Sequence, residues 1–162
     1  MRRLSLCLLF LLLIAAACQR PQKCEKEVYL LPENFHGPLF VFFSQKDGEA
    51  MQYENGARLY RIPPGGVLMS QFPPNGGCMN DNRLTFYYLD SLGNRKPLLY
   101  FLDMEGKQIP PDQNYVLFSL LSDKMKKIAF VTHIVGNASE FREMVQQVHL
   151  TDPEKIYRDH LK

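Results

Sequence analysis

From Glu27 onward, short apolar runs alternate with clusters of glycine, proline, asparagine and aspartate, a spacing that predicts strands separated by turns. Residues 27–31 form the first run, closed by Pro32. Leu39-Phe40-Val41-Phe42-Phe43 is apolar at every position, so both of its faces need cover, as in a central strand. Residues 57–62 alternate, with Leu59 and Arg61 on one side and Tyr60 and Ile62 on the other. Pro63-Pro64-Gly65-Gly66 then reverses the chain, because proline presets the first turn angle and glycine accepts a positive one. Residues 67–72 predict another strand, 83–89 and 98–102 a hairpin around the polar segment 90–96, and 115–120 and 127–135 the last two. The expectation is a mainly β fold, an antiparallel β-sandwich of seven or eight strands.

The period then changes. Phe141, Met144, Val145 and Val148 recur at helical spacing, with Asn137 and Glu140 placed as a capping pair. Thr151-Asp152-Pro153-Glu154 predicts a second short helix with proline in its first turn, presenting Ile156, Tyr157 and Leu161 to the sheet.

Ahead of the strands, Arg2 and Arg3 precede the apolar run of residues 4–14, which gives way to Ala15-Ala16-Ala17-Cys18. A positive head, an apolar stretch and small residues at a cleavage point make an export signal. The run is too short for the roughly 20 apolar residues that a bilayer-spanning helix needs. Ile14-Ala15-Ala16-Ala17-Cys18 resembles the lipobox of bacterial lipoproteins, with Ala15 where leucine is most common. That resemblance implies cleavage before Cys18, acylation of its sulfur, and a membrane partner held through the lipid. Gln19 resembles the sorting position of lipoproteins sent to the outer rather than the inner membrane. An ordinary signal peptidase could use the same alanines and release a secreted protein. The expected organisation is a signal peptide over residues 1–17, a lipidated tether over 18–26, the β-sandwich over 27–136 and packed helices over 137–162.

Export also changes the reading of the cysteines. Cys7 leaves with the signal, and acylation would occupy Cys18, so Cys24 and Cys78 remain as a candidate disulfide in an oxidising envelope. Arg2 and Arg3 are the only charged side chains before Cys18, so the formal charge of +2 vanishes on processing. A neutral domain lacks the basic footprint that phosphate backbones require, which argues against nucleic acid as a partner.

Tyr29-Leu30-Leu31-Pro32-Glu33-Asn34-Phe35-His36-Gly37-Pro38, then Phe40 to Phe43, and then Gly56-Ala57-Arg58-Leu59-Tyr60-Arg61-Ile62-Pro63-Pro64-Gly65-Gly66-Val67 resemble a family of uncharacterised bacterial lipoproteins and secreted envelope proteins. The resemblance runs from about Tyr29 to Gly106 and implies a small envelope domain of no assigned activity. The strand followed by Ile-Pro-x-Gly is also similar to transthyretin-like and carboxypeptidase-regulatory-like sandwiches, an analogy of fold that carries no chemistry.

Motifs for catalysis or metal binding are absent from the sequence. His36, His133, His149 and His160 sit in no zinc-protease helix motif, no serine elbow is present, and Asn80-Asp81-Asn82 lacks the alternating acids of a calcium loop. No cofactor or metal is implied. Tyr87, Tyr88, Tyr100 and Phe101 form an aromatic set on the predicted hairpin and are the candidate binding surface, provided that one face stays uncovered. Lys124-Met125-Lys126-Lys127 would meet anionic headgroups or solvent. The leading expectation is a non-catalytic, lipid-anchored envelope protein acting in binding or assembly, with another envelope protein as candidate partner. The alternatives are a secreted hydrolase or lyase drawing on His36, Asp81 and His133, and a ligand-carrying or inhibitory module using the aromatic hairpin.

Overall fold

A computed structural model of the protein describes residues 24–75, 83–100, 110–122 and 128–161. The expected export signal, Cys18, Cys78, Asp81, Phe101 and the lysine cluster lie outside the described residues. Among the described residues, nine strands form two sheets. One has the order β3 (Gln52–Glu54), β4 (Ala57–Arg61), β1 (Lys26–Pro32), β6 (Leu84–Leu89), β7 (Arg95–Leu98). The other has the order β5 (Val67–Met69), β2 (Gly37–Phe42), β9 (Phe130–Gly136), β8 (Tyr115–Ser122).

The fold is mainly β and sandwich-like with helices at its end, but its sheets are mixed. β1 runs parallel to both β4 and β6, and β2 runs parallel to β5. Chain order explains this. The chain leaves the first sheet after β1, crosses to β2, and returns to lay β4 beside β1 in the same direction. The hairpins β3–β4, β6–β7 and β8–β9 supply antiparallel pairs.

Period-2 alternation fills the space between the sheets. Tyr29 and Leu31 of β1, Tyr60 of β4 and Phe86 and Tyr88 of β6 meet Leu39 and Val41 of β2 and Val131 and Val135 of β9. Phe40 and Phe42 point the other way, where with Phe130 they pack against Ile156 and Tyr157. Those two belong to α2 (Pro153–His160), whereas Met144 and Val148 of α1 (Phe141–Leu150) cover Tyr115, Leu117 and Ile134. The helices therefore make a third layer on the second sheet, as the wholly apolar β2 demands.

Helix entry follows side-chain chemistry. Asn137 Oδ1 accepts from the Glu140 backbone N–H at 3.3 Å, and Glu140 Oε2 accepts from the Asn137 N–H at 3.1 Å, a reciprocal pair that closes the turn leading into α1, whose N-cap is Glu140. At α2 the cap is Asp152. Its carboxylate accepts from the Glu154 N–H at 2.9 Å, while the Thr151 hydroxyl donates back to the Gln147 carbonyl.

The predicted reversal after β4 depends on one glycine. Gly66 has φ +72°, and a Cβ there would stand 2.9 Å from the Pro38 carbonyl oxygen and 3.0 Å from the Phe35 ring. Gly66→Ala is expected to cost about 2 kcal/mol, from left-handed strain plus displacement of the β1–β2 loop. Gly93→Ala, at φ +84° with nothing within 4 Å of the added methyl, carries the strain alone and should cost about 1 kcal/mol. Denaturant midpoints of the two variants check the order.

Candidate functional site

The two ends of β1 carry different chemistry. At its start a carboxylate is buried. Glu27 faces inward with Tyr29 and is 6% exposed; its Oε2 accepts from the Tyr29 hydroxyl at 2.7 Å and its Oε1 from Asn75 Nδ2 at 2.9 Å. The Tyr60 hydroxyl lies 3.5 Å from Oε1. Burial pushes the Glu27 carboxyl above its usual range despite these donors, and burial with the Glu27 charge raises both tyrosines. Buried Arg58 donates from Nε to Glu25 at 2.6 Å and from Nη1 to the Pro73 carbonyl, with its guanidinium over Phe72. This cluster knots the first strand to the chain after β5.

The same pole holds Cys24, which is disulfide-bonded. Asn75 exchanges hydrogen bonds with the backbone of Glu25, at 3.0 and 2.8 Å, and Arg83 donates to the Cys24 carbonyl at 2.8 Å. The residues bracketing the segment that contains Cys78 are thus fastened to the start of β1.

At the far end of β1 lies a polar cleft of about 620 Å³. Three segments build it: Glu33 and Asn34 after β1, the β6–β7 hairpin, and Asp112, Gln113 and Asn114 before β8. Asp90 organises the hairpin. Its Oδ1 accepts from the N–H groups of Leu92 and Asn94, and its Oδ2 from Asn94 Nδ2, bonds that hold its pKa below the usual carboxylate range. Arg95 is engaged elsewhere, bidentate on Glu54 at 2.5 and 2.7 Å, and this lowers the Glu54 pKa. Tyr88 fixes the inner wall by donating to the Phe35 carbonyl at 2.9 Å and accepting from Asn114 Nδ2 at 3.3 Å.

The aromatic hairpin divides between two faces. Tyr88 and Tyr100 are each 9% exposed and belong to the core, so they offer no ring face to a partner. Tyr87 points outward and is half-buried beneath the Arg95 guanidinium, 5.7 Å from the ring centroid. It borders a shallow depression of about 230 Å³ with Leu84, Pro97 and Leu99.

The histidines do not assemble. His133 is fully buried, edge-on to Tyr29 and Phe86, and burial lowers its pKa to about 3, so it is neutral. His36 lies at the surface beside the cleft pole, 2.8 Å from Glu140. No group of three or more metal-binding side chains is gathered among the described residues. The cleft offers amides, carboxylates and an ammonium, all groups able to form hydrogen bonds.

Sequence reasoning passed over Glu27 and Arg58, although the alternation that puts Tyr29 and Tyr60 inside puts these two on the same faces. For the cleft there was no local signal, because its three segments meet only through the topology.

Fold and site together define a small two-sheet domain, helix-covered on one side, with a polar cleft at one pole and a buried carboxylate at the other. The chain belongs to a family of unknown function, DUF6843, whose model matches residues 23–142. The match reaches past Gly106 through the last strand to the start of α1. No curated protein matches. A solved structure, that of a "Putative Lipoprotein from Bacillus anthracis", is similar at 16% identity and a TM-score of 0.47, over 72% of this chain and 75% of the other.

Proposed function

We propose that this protein is exported, acylated on Cys18 and held on the outer membrane of a bacterial envelope, where it binds a partner without catalysing a reaction. The observation that carries the reading is the run of small residues placed directly before Cys18 behind an apolar signal. Only five residues separate Cys18 from Cys24, a span of at most roughly 20 Å, so the domain would sit against the bilayer. Two or more acyl chains on one cysteine suffice for stable anchoring. Cys78 is the proposed partner of Cys24, since Asn75 and Arg83 fasten both sides of its segment to the residues next to Cys24.

Because the tether precedes β1 and the cleft follows it, the cleft stands one strand length, about 20 Å, farther from the anchor. It would face away from the membrane. Metabolic labelling with a fatty acid, followed by fractionation, tests the anchor. Label and membrane association should both vanish in Cys18→Ser; label that persists in the variant refutes the reading.

A further inference from the structure

We propose that the cleft at the far end of β1 binds an uncharged, hydroxyl-rich oligosaccharide, an inference that rests on the binding role proposed above and names its ligand class. Charge narrows the choice first. Among the described residues that line the cleft, Glu33, Asp90 and Asp112 face one unengaged cation, Lys96, because Arg95 is held by Glu54. The resulting acidic field repels phosphate, sulfate and carboxylate ligands.

The donor set narrows it further. Asn34, Asn94, Gln113 and Asn114 line the cleft, and each amide presents both a donor and an acceptor. A cation would use acceptors only, and the Lys96 ammonium on the same wall opposes it. A hydroxyl both donates and accepts, so it suits the groups left open: the Glu33 and Asp112 carboxylates and the amide oxygens receive its proton, while the Asn34 and Gln113 N–H groups and Lys96 donate to its oxygen. Apolar ligands find little to cover beyond Pro97 and Leu98.

The cleft is also ready to bind. Among the described residues the side chains of Glu33, Asn34, Lys96, Asp112 and Gln113 make no hydrogen bond or ion pair, so a ligand displaces only water. The walls behind them are fixed by the Asp90 turn, the Arg95–Glu54 pair and the Tyr88–Phe35 bond. Such preorganisation limits the ordering lost on association. A volume of about 620 Å³ lies within the usual range of ligand pockets.

The test is calorimetric titration of the full chain, produced with its own signal and purified in detergent micelles. Probes are the tetrasaccharides of glucose, mannose, galactose and N-acetylglucosamine, with tetralysine and tetraphosphate as charged counterparts. Saturable binding of at least one tetrasaccharide is expected, with neither charged probe binding. The double variant Asp112→Ala, Gln113→Ala should weaken that binding at least tenfold at an unchanged melting temperature. Heat from no saccharide, saccharide binding that the double variant leaves intact, or cleft-dependent binding of tetralysine or tetraphosphate overturns the proposal. Cys18→Ser separates the two readings, because it should abolish fatty-acid labelling while leaving saccharide affinity unchanged.

Discussion

Phe86→Ala is expected to lower stability by about 4 kcal/mol and the melting temperature by roughly 15 °C, the largest effect of any single truncation proposed for this domain. Phe86 is 1% exposed at the middle of β6. It stacks on Tyr29 with ring centroids 4.7 Å apart, and the His133 ring meets it edge-on at 5.0 Å. Tyr29 in turn stacks on Tyr60 at 4.9 Å. One ring therefore supports a row across three adjacent strands, β6, β1 and β4, and deleting it leaves a cavity that those strands cannot close without shifting their pairing. The net stability of a domain is only about 5–15 kcal/mol, so a loss of this size brings it close to unfolding. Phe86→Leu keeps most of the volume and should cost under about 1.5 kcal/mol. Equal losses in the two variants, read from urea unfolding, would show that the ring stack is not what holds these strands.

The stack shows where the sequence is a sufficient guide. β2 is apolar throughout and is found between β5 and β9 with α2 across its outer face, because nothing else can shelter Phe40 and Phe42. The alternation of Tyr29 with Leu31 and the capping pair of Asn137 with Glu140 are local rules that survive folding. Non-local pairing is harder to read. β3 is three residues, Gln-Tyr-Glu, and becomes a strand only because β4 offers it an edge. The hairpin partner of β6 begins at Arg95, ahead of the expected residues 98–102, because Asp90 closes a tighter turn by accepting three hydrogen bonds. Pro97 is tolerated there since β7 is an edge strand. The parallel register of β1 with β4 and β6 depends on which sheet the chain visits in between, and no window of residues encodes that. The cleft was hidden for the same reason, whereas Glu27 and Arg58 were legible as charges on inward-facing positions.

Glu27 and His133 should oppose one another in the response of stability to pH, and Glu27→Gln should expose it. Burial raises the Glu27 pKa above its unfolded value near 4.5, so the folded protein holds that proton more tightly than the unfolded chain does. Its contribution is fully present below about pH 4.5 and is lost as pH rises through the folded value. His133 has the opposite sign. With its pKa lowered to about 3 from 6.5, the folded state refuses a proton that the unfolded chain accepts, so stability falls as pH drops below about 6.5. Between about pH 4.5 and the raised value of Glu27 the two slopes offset one another, and the wild-type curve should be shallow. In Glu27→Gln the His133 term acts alone, and stability should fall by about 1.4 kcal/mol for each pH unit of acidification across that window. The glutamine still accepts from Asn75 and still meets the Tyr29 hydroxyl, whereas Glu27→Ala strips the acceptor from buried donors and should cost about 3 kcal/mol at neutral pH. Urea unfolding of wild type and Glu27→Gln from pH 4 to 8 reads both slopes. Parallel curves would mean that the carboxylate does not hold its proton as the buried geometry requires.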